Sequence, residues 1–263
     1  METILKSLIL GIIQGLTEFL PVSSSGHIEL TKYFLGFEPE DNLLFTVVVH
    51  FATALSTLVV FKKDVVNIFH GLFKFKNNEE LKFSWYIIIS MIPAVFVGLF
   101  FDDIIESFFD GRIILVCICL LLTAVLLVLA DRAKTTDRGV GLKDAVIIGI
   151  AQAIAILPGI SRSGSTIAAS VLLKVDRQKA ARFSFLMVVP LIFGKMSKDI
   201  LDGALTNPDM TLMPLLIGFL AAFITGIFAC KIMIKLVVGS SLKIFSFYLV
   251  AVSLFSLAYF LMH

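Results

Sequence analysis

The chain has 263 residues, of which 58% are hydrophobic and 16% are charged, and its formal net charge is +2. Soluble domains are nearer half apolar and a quarter charged, so the composition excludes an ordinary soluble domain. A transmembrane barrel needs alternating segments of about ten residues, whereas the apolar runs here are longer and continuous. The composition therefore predicts an all-α polytopic membrane protein surrounded by lipid. The sequence has no stripe of basic residues of the kind that would indicate a nucleic-acid partner.

Six apolar runs are long enough to span a membrane or nearly so, since a span needs about 20 residues. Pro190 and Gly194 interrupt the fourth run, which is also the shortest. The predicted spans are 43–61, 85–101, 113–130, 183–196, 212–230 and 244–262.

Two further segments, 4–35 and 145–173, are apolar, then rich in Pro, Ser and Gly, then apolar again. Each half is too short to cross a membrane. Interrupted segments in matching positions indicate re-entrant hairpins with a binding site at their tips.

Lysine and arginine predict the orientation, because cytoplasmic loops carry an excess of these residues. Segments 62–84, 131–144, 174–182 and 231–243 hold sixteen of the 22 basic residues, whereas loops 36–42, 102–112 and 199–211 hold only Arg112. The four basic segments are therefore expected to be cytoplasmic.

Charge counting predicts one membrane domain, 1–263, built from two repeats. The first repeat (1–130) enters its hairpin from outside, and the second (145–263) is inverted and enters its hairpin from inside. A short match at an offset of 138 residues agrees with this topology. It aligns Gly11, Gln14, Ser23, Ser25 and Gly26 with Gly149, Gln152, Ser161, Ser163 and Gly164.

The second hairpin carries an arginine among hydroxyls and glycines. An ionisable residue between uncharged apolar flanks is costly and usually functional. Arg162 offers a planar fork of donors to phosphate, and Gly159 and Gly164 let backbone N–H groups approach an anion. Ser161, Ser163 and Thr166 add hydroxyls. The alternative is an ordinary loop with a surface arginine.

The first hairpin carries the acid–base groups. Gln14 and Glu18 lie four residues apart, on one face of a helix. Ser23, Ser24, Ser25 and His27 follow the break at Pro21. Glutamate and histidine serve acid–base or metal chemistry. Three structural alternatives stay open: a Glu18–Arg162 ion pair, His27 as a hydrogen-bonded filler, and serines that only cap helices. His50, alone within a span, either lines the site or packs.

The two motifs resemble those of the undecaprenyl-diphosphatases of the bacitracin-resistance type. Residues 14–27 are similar to that family's (E/Q)-x-x-x-E and P-V-S-S-[ST]-G-H patterns, and residues 158–166 to its P-G-x-S-R-S-x-x-T pattern. Length and hydrophobic layout also match. Gln14 stands where many members carry Glu, and a neutral amide weakens a metal site built on two carboxylates.

The resemblance implies hydrolysis of undecaprenyl diphosphate to undecaprenyl phosphate and inorganic phosphate at the outer face of the bacterial plasma membrane. This reaction recycles the lipid carrier of peptidoglycan and confers resistance to bacitracin. The resemblance also implies a divalent cation, magnesium or calcium, and we expect Glu18 to bind it, with Gln14 as a second ligand. Arg162 is expected to hold phosphate. Ser24 is the favoured nucleophile, with His27 or water as alternatives, and His27 is also a candidate general acid.

The competing interpretation is a lipid-phosphate transporter, because inverted repeats and broken segments are also typical of carriers. The Glu18 and His27 pair favours hydrolysis. Oligomeric state stays open. Small residues that would support a helix contact, and so a homodimer, are Ala221, Ala222, Gly226 and Ala229.

Overall fold

The computed structural model describes residues 2–36, 42–73, 78–101, 104–105, 107–108, 112–134, 136–201, 212–239 and 241–262. This part of the chain forms eleven α-helices of eleven residues or more and contains no strand, as the hydrophobic pattern predicts. Parts of the predicted loops, including Lys74 and Lys76, lie outside the described residues. The helices are α1 (Glu2–Thr17), α2 (Ser24–Leu35), α3 (Asn42–Val60), α4 (Lys62–Phe73), α5 (Glu79–Phe100), α6 (Ile113–Asp131), α7 (Leu142–Ile154), α8 (Arg162–Leu172), α9 (Arg177–Leu201), α10 (Leu212–Gly239) and α11 (Lys243–Met262).

The two interrupted segments each form a pair of short helices. We call α1–α2 the first hairpin and α7–α8 the second hairpin. Their helices have 16, 12, 13 and 11 residues, and each is shorter than the roughly 20 residues of a span. The helices of each pair pack against one another. Gly36 ends α2 with a left-handed φ of 53°, a conformation that glycine adopts without strain.

Five helices are long and apolar enough to cross a membrane, namely α5, α6, α9, α10 and α11. A sixth candidate is the pair α3 and α4, which bend by 77° at their junction. The chain is therefore a multi-pass membrane protein. Parts of all six predicted spans lie in these helices.

Two predictions about these elements were incomplete. The span at 183–196 was expected to break at Pro190, but α9 is continuous through this proline. A membrane helix tolerates proline because neighbouring groups satisfy the freed backbone carbonyl. The basic segment after Phe61 was expected to be a loop, but it begins with α4. Apolar residues at Val65, Ile68 and Phe69 give that helix a face that can lie along an apolar surface.

Each hairpin packs against a long helix from the other half of the chain. Helix α1 packs on α10, and α7 packs on α5. Glycines allow this close approach: a Cβ at Gly11 would lie 2.9 Å from Ala221 Cβ, and one at Gly149 would lie 2.5 Å from Ser90 O. Ala222 is also fully buried. The small residues of α10 therefore pack partly within the chain, and the predicted homodimer contact stays untested.

The central helix α9 packs against α3, α5, α8 and α10 and carries the apolar core beneath the hairpins. Phe185 lies at its centre. The ring of Phe19 meets the ring of Phe185 edge-on, with 5.6 Å between the ring centroids, and Phe61 packs on the other side at 6.1 Å. Phe19 follows Glu18 directly, so this core fixes where the first hairpin presents its carboxylate.

Candidate active site at the hairpin tips

Each hairpin turns through one residue with left-handed backbone. These residues are Ser23, with φ of 70°, and Gly159, with φ of 94°. A Cβ at Gly159 would lie 2.5 Å from Val116 O, so the tip has no room for a side chain there. Ser23 does carry a side chain, and such strain persists only where the surroundings hold it, often at functional sites.

Both second arms begin with the same cap. Ser23 Oγ accepts from Gly26 N at 3.2 Å, and Ser161 Oγ accepts from Gly164 N at 3.0 Å. Serine at this position satisfies one of the free N–H groups of the first helical turn. Ser23 thus has the capping role left open for the serine run of the first hairpin, and Ser161 has the same role in the second hairpin, where Gly164 supplies the N–H.

The two tips touch. Ser163 Oγ of the second hairpin donates to Leu20 O of the first at 3.0 Å. Helix α6 holds the second tip from behind, because Thr123 Oγ1 accepts from Ser161 N at 3.1 Å. The two tips, whose contacting residues are 143 positions apart in sequence, are therefore fixed against one another by packing and hydrogen bonds.

The carboxylate of Glu18 accepts hydrogen bonds from side chains of both tips. Its Oε2 accepts from Gln14 Nε2 at 2.9 Å and from Ser24 Oγ at 2.5 Å. Its Oε1 pairs with Arg162 Nη2. The carboxylate is only 7% exposed, and a charge so deeply buried is tolerated when it is paired and hydrogen-bonded. The ion pair that the sequence left open as a structural alternative is thus present.

Arg162 is the first residue of α8. Besides Glu18 it contacts α9, because Nη1 donates to Ser184 O at 3.3 Å. Thr166 Oγ1 donates to Arg162 O at 2.8 Å and lies 2.5 Å from Ser184 Oγ. These contacts fix the base of the arginine. A guanidinium has five N–H donors, so donors remain for a further anion.

A cavity of about 190 Å³ opens at this cluster. A water molecule occupies about 30 Å³ of liquid, so the cavity is large enough for a polyatomic headgroup. Its polar lining residues are Glu18 and Arg162 together with Ser24, Ser25, Ser161, Ser163, Thr46 and His50. Its apolar lining residues are Ala155, Ile156, Ile160, Val188 and Ile192. The lining thus combines groups that suit a charged headgroup with groups that suit a hydrocarbon.

The remaining predicted residues lie behind this lining. Gln14 supports Glu18, and Thr166 supports Arg162. Ser23, Gly159 and Gly164 shape the two turns. None of these five is among the residues that line the cavity. We infer that they act by holding the cavity-lining groups in place.

His27 also lies away from the cavity lining. Its Nδ1 is hydrogen-bonded to Ser23 O at 2.8 Å, and its Nε2 to Tyr248 OH at 2.9 Å. Its ring stacks on Tyr248 with an interplanar angle of 6°. Both ring nitrogens are therefore engaged, and the imidazole ties the first hairpin to α11. The catalytic role expected for His27 stays a prediction.

His50 is a site residue that the motifs did not reveal. It belongs to α3, lines the cavity, and places Nε2 3.6 Å from Glu18 Oε2. The signal in the sequence was its isolation in a span without other ionisable residues, which marks a functional candidate. Between the two roles left open, site-lining and packing, the structure supports the first.

The side chains of the cavity offer few oxygen ligands for a cation, as in a weak cation site. Glu18 is the one carboxylate in the cavity wall, and no group of three His, Cys, Asp or Glu side chains suited to a metal occurs in the described part of the chain. Gln14 Oε1 is buried and has no hydrogen-bond partner there. Magnesium is often held by one or two carboxylates together with substrate phosphates. Glu18 fits such a shared site, whereas Gln14 lies outside the cavity lining and stays a predicted second ligand.

The fold and the cavity define a class: a multi-pass helical membrane protein with a buried Glu–Ser–Arg cluster where two hairpins meet. Comparison with known proteins narrows that class to a family. The family model of Bacitracin resistance protein BacA matches residues 7–255. Since this match covers nearly the whole sequence, the chain belongs to the BacA family.

Curated relatives agree with this assignment. The undecaprenyl-diphosphatase of Christiangramia forsetii is 60% identical over 253 residues, which is 95% of this chain and 96% of the relative. That of Parabacteroides distasonis is 48% identical, with coverage of 96% and 97%. That of Methanococcus vannielii is 38% identical, with coverage of 97% and 100%. All three relatives are named as phosphatases, so their names do not favour the transport alternative.

Proposed function

We propose that this chain is an integral-membrane phosphatase that hydrolyses undecaprenyl diphosphate to undecaprenyl phosphate and inorganic phosphate. The observation that carries the proposal is the buried cluster of Glu18, Ser24 and Arg162 on a cavity lined by both polar and apolar residues. In a chain of the BacA family, this cluster supplies a base, a nucleophile and a phosphate ligand. The reaction would recycle the lipid carrier of peptidoglycan synthesis and confer bacitracin resistance.

The diphosphate would bind where α2 and α8 begin. Ser24 and Ser25 open α2, Arg162 and Ser163 open α8, and all four residues line the cavity. The N-terminus of a helix presents free N–H groups and a positive partial charge, which together bind phosphate. Arg162 adds a full charge and oriented donors that would stabilise the negative charge developing in the transition state. The prenyl chain would lie against the apolar lining residues.

Ser24 is our preferred nucleophile. Its hydroxyl donates to Glu18 Oε2 at 2.5 Å, and a hydroxyl paired with a carboxylate is the arrangement that activates serine for attack. Ser24 Oγ would attack the terminal phosphorus while Glu18 takes its proton. The bond from that phosphorus to the bridging oxygen would break and release undecaprenyl phosphate. Water would then hydrolyse the phosphoserine; direct attack by water is the alternative.

A divalent cation, magnesium or calcium, is part of the proposal. Glu18 would hold it together with phosphate oxygens, with Gln14 as the candidate second ligand, and it would supply charge neutralisation on the diphosphate. Within the chain, Ser24 and Arg162 would keep their roles of attack and phosphate binding. The single carboxylate indicates weak binding before the substrate arrives.

We also propose the inverted repeat, with 1–130 and 145–263 as its halves. The packing of α1 on α10 and of α7 on α5, the glycines Gly11 and Gly149 at these contacts, and the matching serine caps support it. The excess of basic residues in four segments supports an orientation with these segments in the cytoplasm. The site would then serve the outer side of the bacterial inner membrane.

The test is phosphate release from undecaprenyl diphosphate by the purified chain in detergent, with and without EDTA. Wild type is compared with Arg162→Ala. We expect cation-dependent release that disappears in the variant, because the phosphate ligand is lost. Well-folded wild type that releases no phosphate with magnesium or calcium present would overturn the proposal.

A further inference from the structure

The structure assigns His50 a positioning role in the proposed reaction: it holds the carboxylate of Glu18 in the orientation that Ser24 and Arg162 require. This inference rests on the proposed phosphatase function. It also extends the site beyond the two hairpins, because His50 belongs to α3, a helix that neither motif includes.

The ring of His50 is fixed at one edge. Its Nδ1 is 2.7 Å from Thr46 O, one turn earlier in α3. A carbonyl oxygen can only accept, so Nδ1 is the donor in this hydrogen bond. The opposite edge of the ring then points into the cavity, where Nε2 lies 3.6 Å from Glu18 Oε2. At this separation Nε2 is in polar contact with the carboxylate but is too far from Oε2 for a hydrogen bond.

The oxygen that His50 approaches is the one on which the chemistry depends. Glu18 Oε2 is also the acceptor of the Ser24 hydroxyl, at 2.5 Å, whereas Arg162 pairs with the other oxygen, Oε1. His50 thus faces the oxygen that would take the proton of Ser24. The edge of the ring at this oxygen limits rotation of the carboxylate, which would exchange its two oxygens.

The same face of α3 also supports Gln14, which is hydrogen-bonded to Glu18. Thr53 Oγ1 donates to His50 O at 2.8 Å and accepts weakly from Gln14 Nε2 at 3.5 Å. Gln14 in turn donates to Glu18. Thr46, His50 and Thr53 follow one another at spacings of four and three residues, so they share one helical face. Helix α3 therefore forms a polar support for the carboxylate in an otherwise apolar span.

Three variants separate positioning from other roles. His50→Leu keeps an apolar volume but removes the polar ring nitrogens. His50→Gln keeps a polar N–H group beside the carboxylate. Val59→Leu changes an exposed residue on the same helix and serves as the matched control. The assay is steady-state phosphate release from undecaprenyl diphosphate, with kcat and KM determined separately.

We expect His50→Leu to lower kcat by about 10-fold, because the carboxylate loses the polar contact that orients it. KM should stay within about threefold, because the phosphate ligands are unchanged. His50→Gln should recover most of the lost kcat, and Val59→Leu should behave as wild type. A Leu variant with wild-type kcat would overturn the inference, and so would a Gln variant as slow as the Leu variant.

A second measurement does not depend on activity. Thermal unfolding of wild type, Glu18→Gln, His50→Leu and the double variant forms a cycle that reports the coupling of the two side chains. We expect the double variant to lose less in Tm than the sum of the single losses. Additive losses would refute the contact. If wild type releases no phosphate, the proposed function fails, and this cycle still decides whether His50 holds Glu18.

Discussion

The sharpest test of the proposed site is Arg162→Lys, because it keeps the charge and removes the fork. Arg162 uses two nitrogens at once, Nη2 on Glu18 Oε1 and Nη1 on Ser184 O. Lysine has a single nitrogen on a flexible stem and cannot reproduce both hydrogen bonds or the planar approach to phosphate.

The magnitude follows from the hydrogen bonds that lysine cannot replace. A hydrogen bond involving a charged group contributes about 1.5–3 kcal/mol. The side chains of Arg162 and Glu18 are 15% and 7% exposed, so solvent screens this interaction little. Loss of one such hydrogen bond in the transition state corresponds to a decrease of roughly 10- to 150-fold in kcat, at about 1.4 kcal/mol per tenfold.

The assay is phosphate release from undecaprenyl diphosphate, with Arg138→Lys as the control. Arg138 makes two hydrogen bonds to the carboxylate of Asp144, at 2.9 and 3.0 Å, and it is not among the residues that line the cavity. The control loses the same fork and should keep its kcat. If Arg162→Lys turns over within about threefold of wild type, the fork is not needed and the reasoning about phosphate binding is wrong.

Three other outcomes are expected. Ser24→Ala should lower kcat by about 10³-fold or more if Ser24 attacks phosphorus, whereas Ser25→Ala should change mainly KM; equal effects of the two variants would argue for attack by water. Tyr248→Phe removes the partner of His27 and should lower Tm by roughly 2–4 °C for a loss of about 1 kcal/mol, with kcat near wild type; a large fall in kcat at unchanged Tm would instead support catalysis by His27. EDTA should abolish phosphate release and magnesium or calcium should restore it, but not in Glu18→Gln; full cation-dependent turnover by that variant would remove Glu18 from the chemistry.

The sequence predicted the helices and the multi-pass character well, because each helix depends on local composition; the inverted repeat stays a proposal. Runs of apolar residues predicted the spans, and Pro, Ser and Gly predicted the breaks of the two hairpins. Pro190 was expected to break the fourth span because proline lacks a backbone N–H and clashes with the preceding turn, whereas in α9 the surrounding helices stabilise the chain through it.

The site was harder to predict because residue type does not fix where a side chain points. Glu18, Ser24 and Arg162 were expected together, and the structure brings them together. His27 belongs to the same motif, but its turn directs the ring toward Tyr248. His50 belongs to no motif and reaches the cavity only because α3 packs against α1 and α9. Such contacts between distant elements are not encoded by the spacing of residues along the chain.

The division of the cluster between two hairpins has a consequence for the reaction. Glu18 and Ser24 belong to the first tip and Arg162 to the second, and the ion pair joins them. A diphosphate carries at least two negative charges and would compete with Glu18 for the donors of Arg162. Any donor it takes leaves the carboxylate less stabilised and so a stronger base for Ser24. Arg162 would then couple binding of the diphosphate to activation of Ser24. We therefore expect replacement of Arg162 to impair KM and kcat together. Replacement of His50 should impair kcat alone.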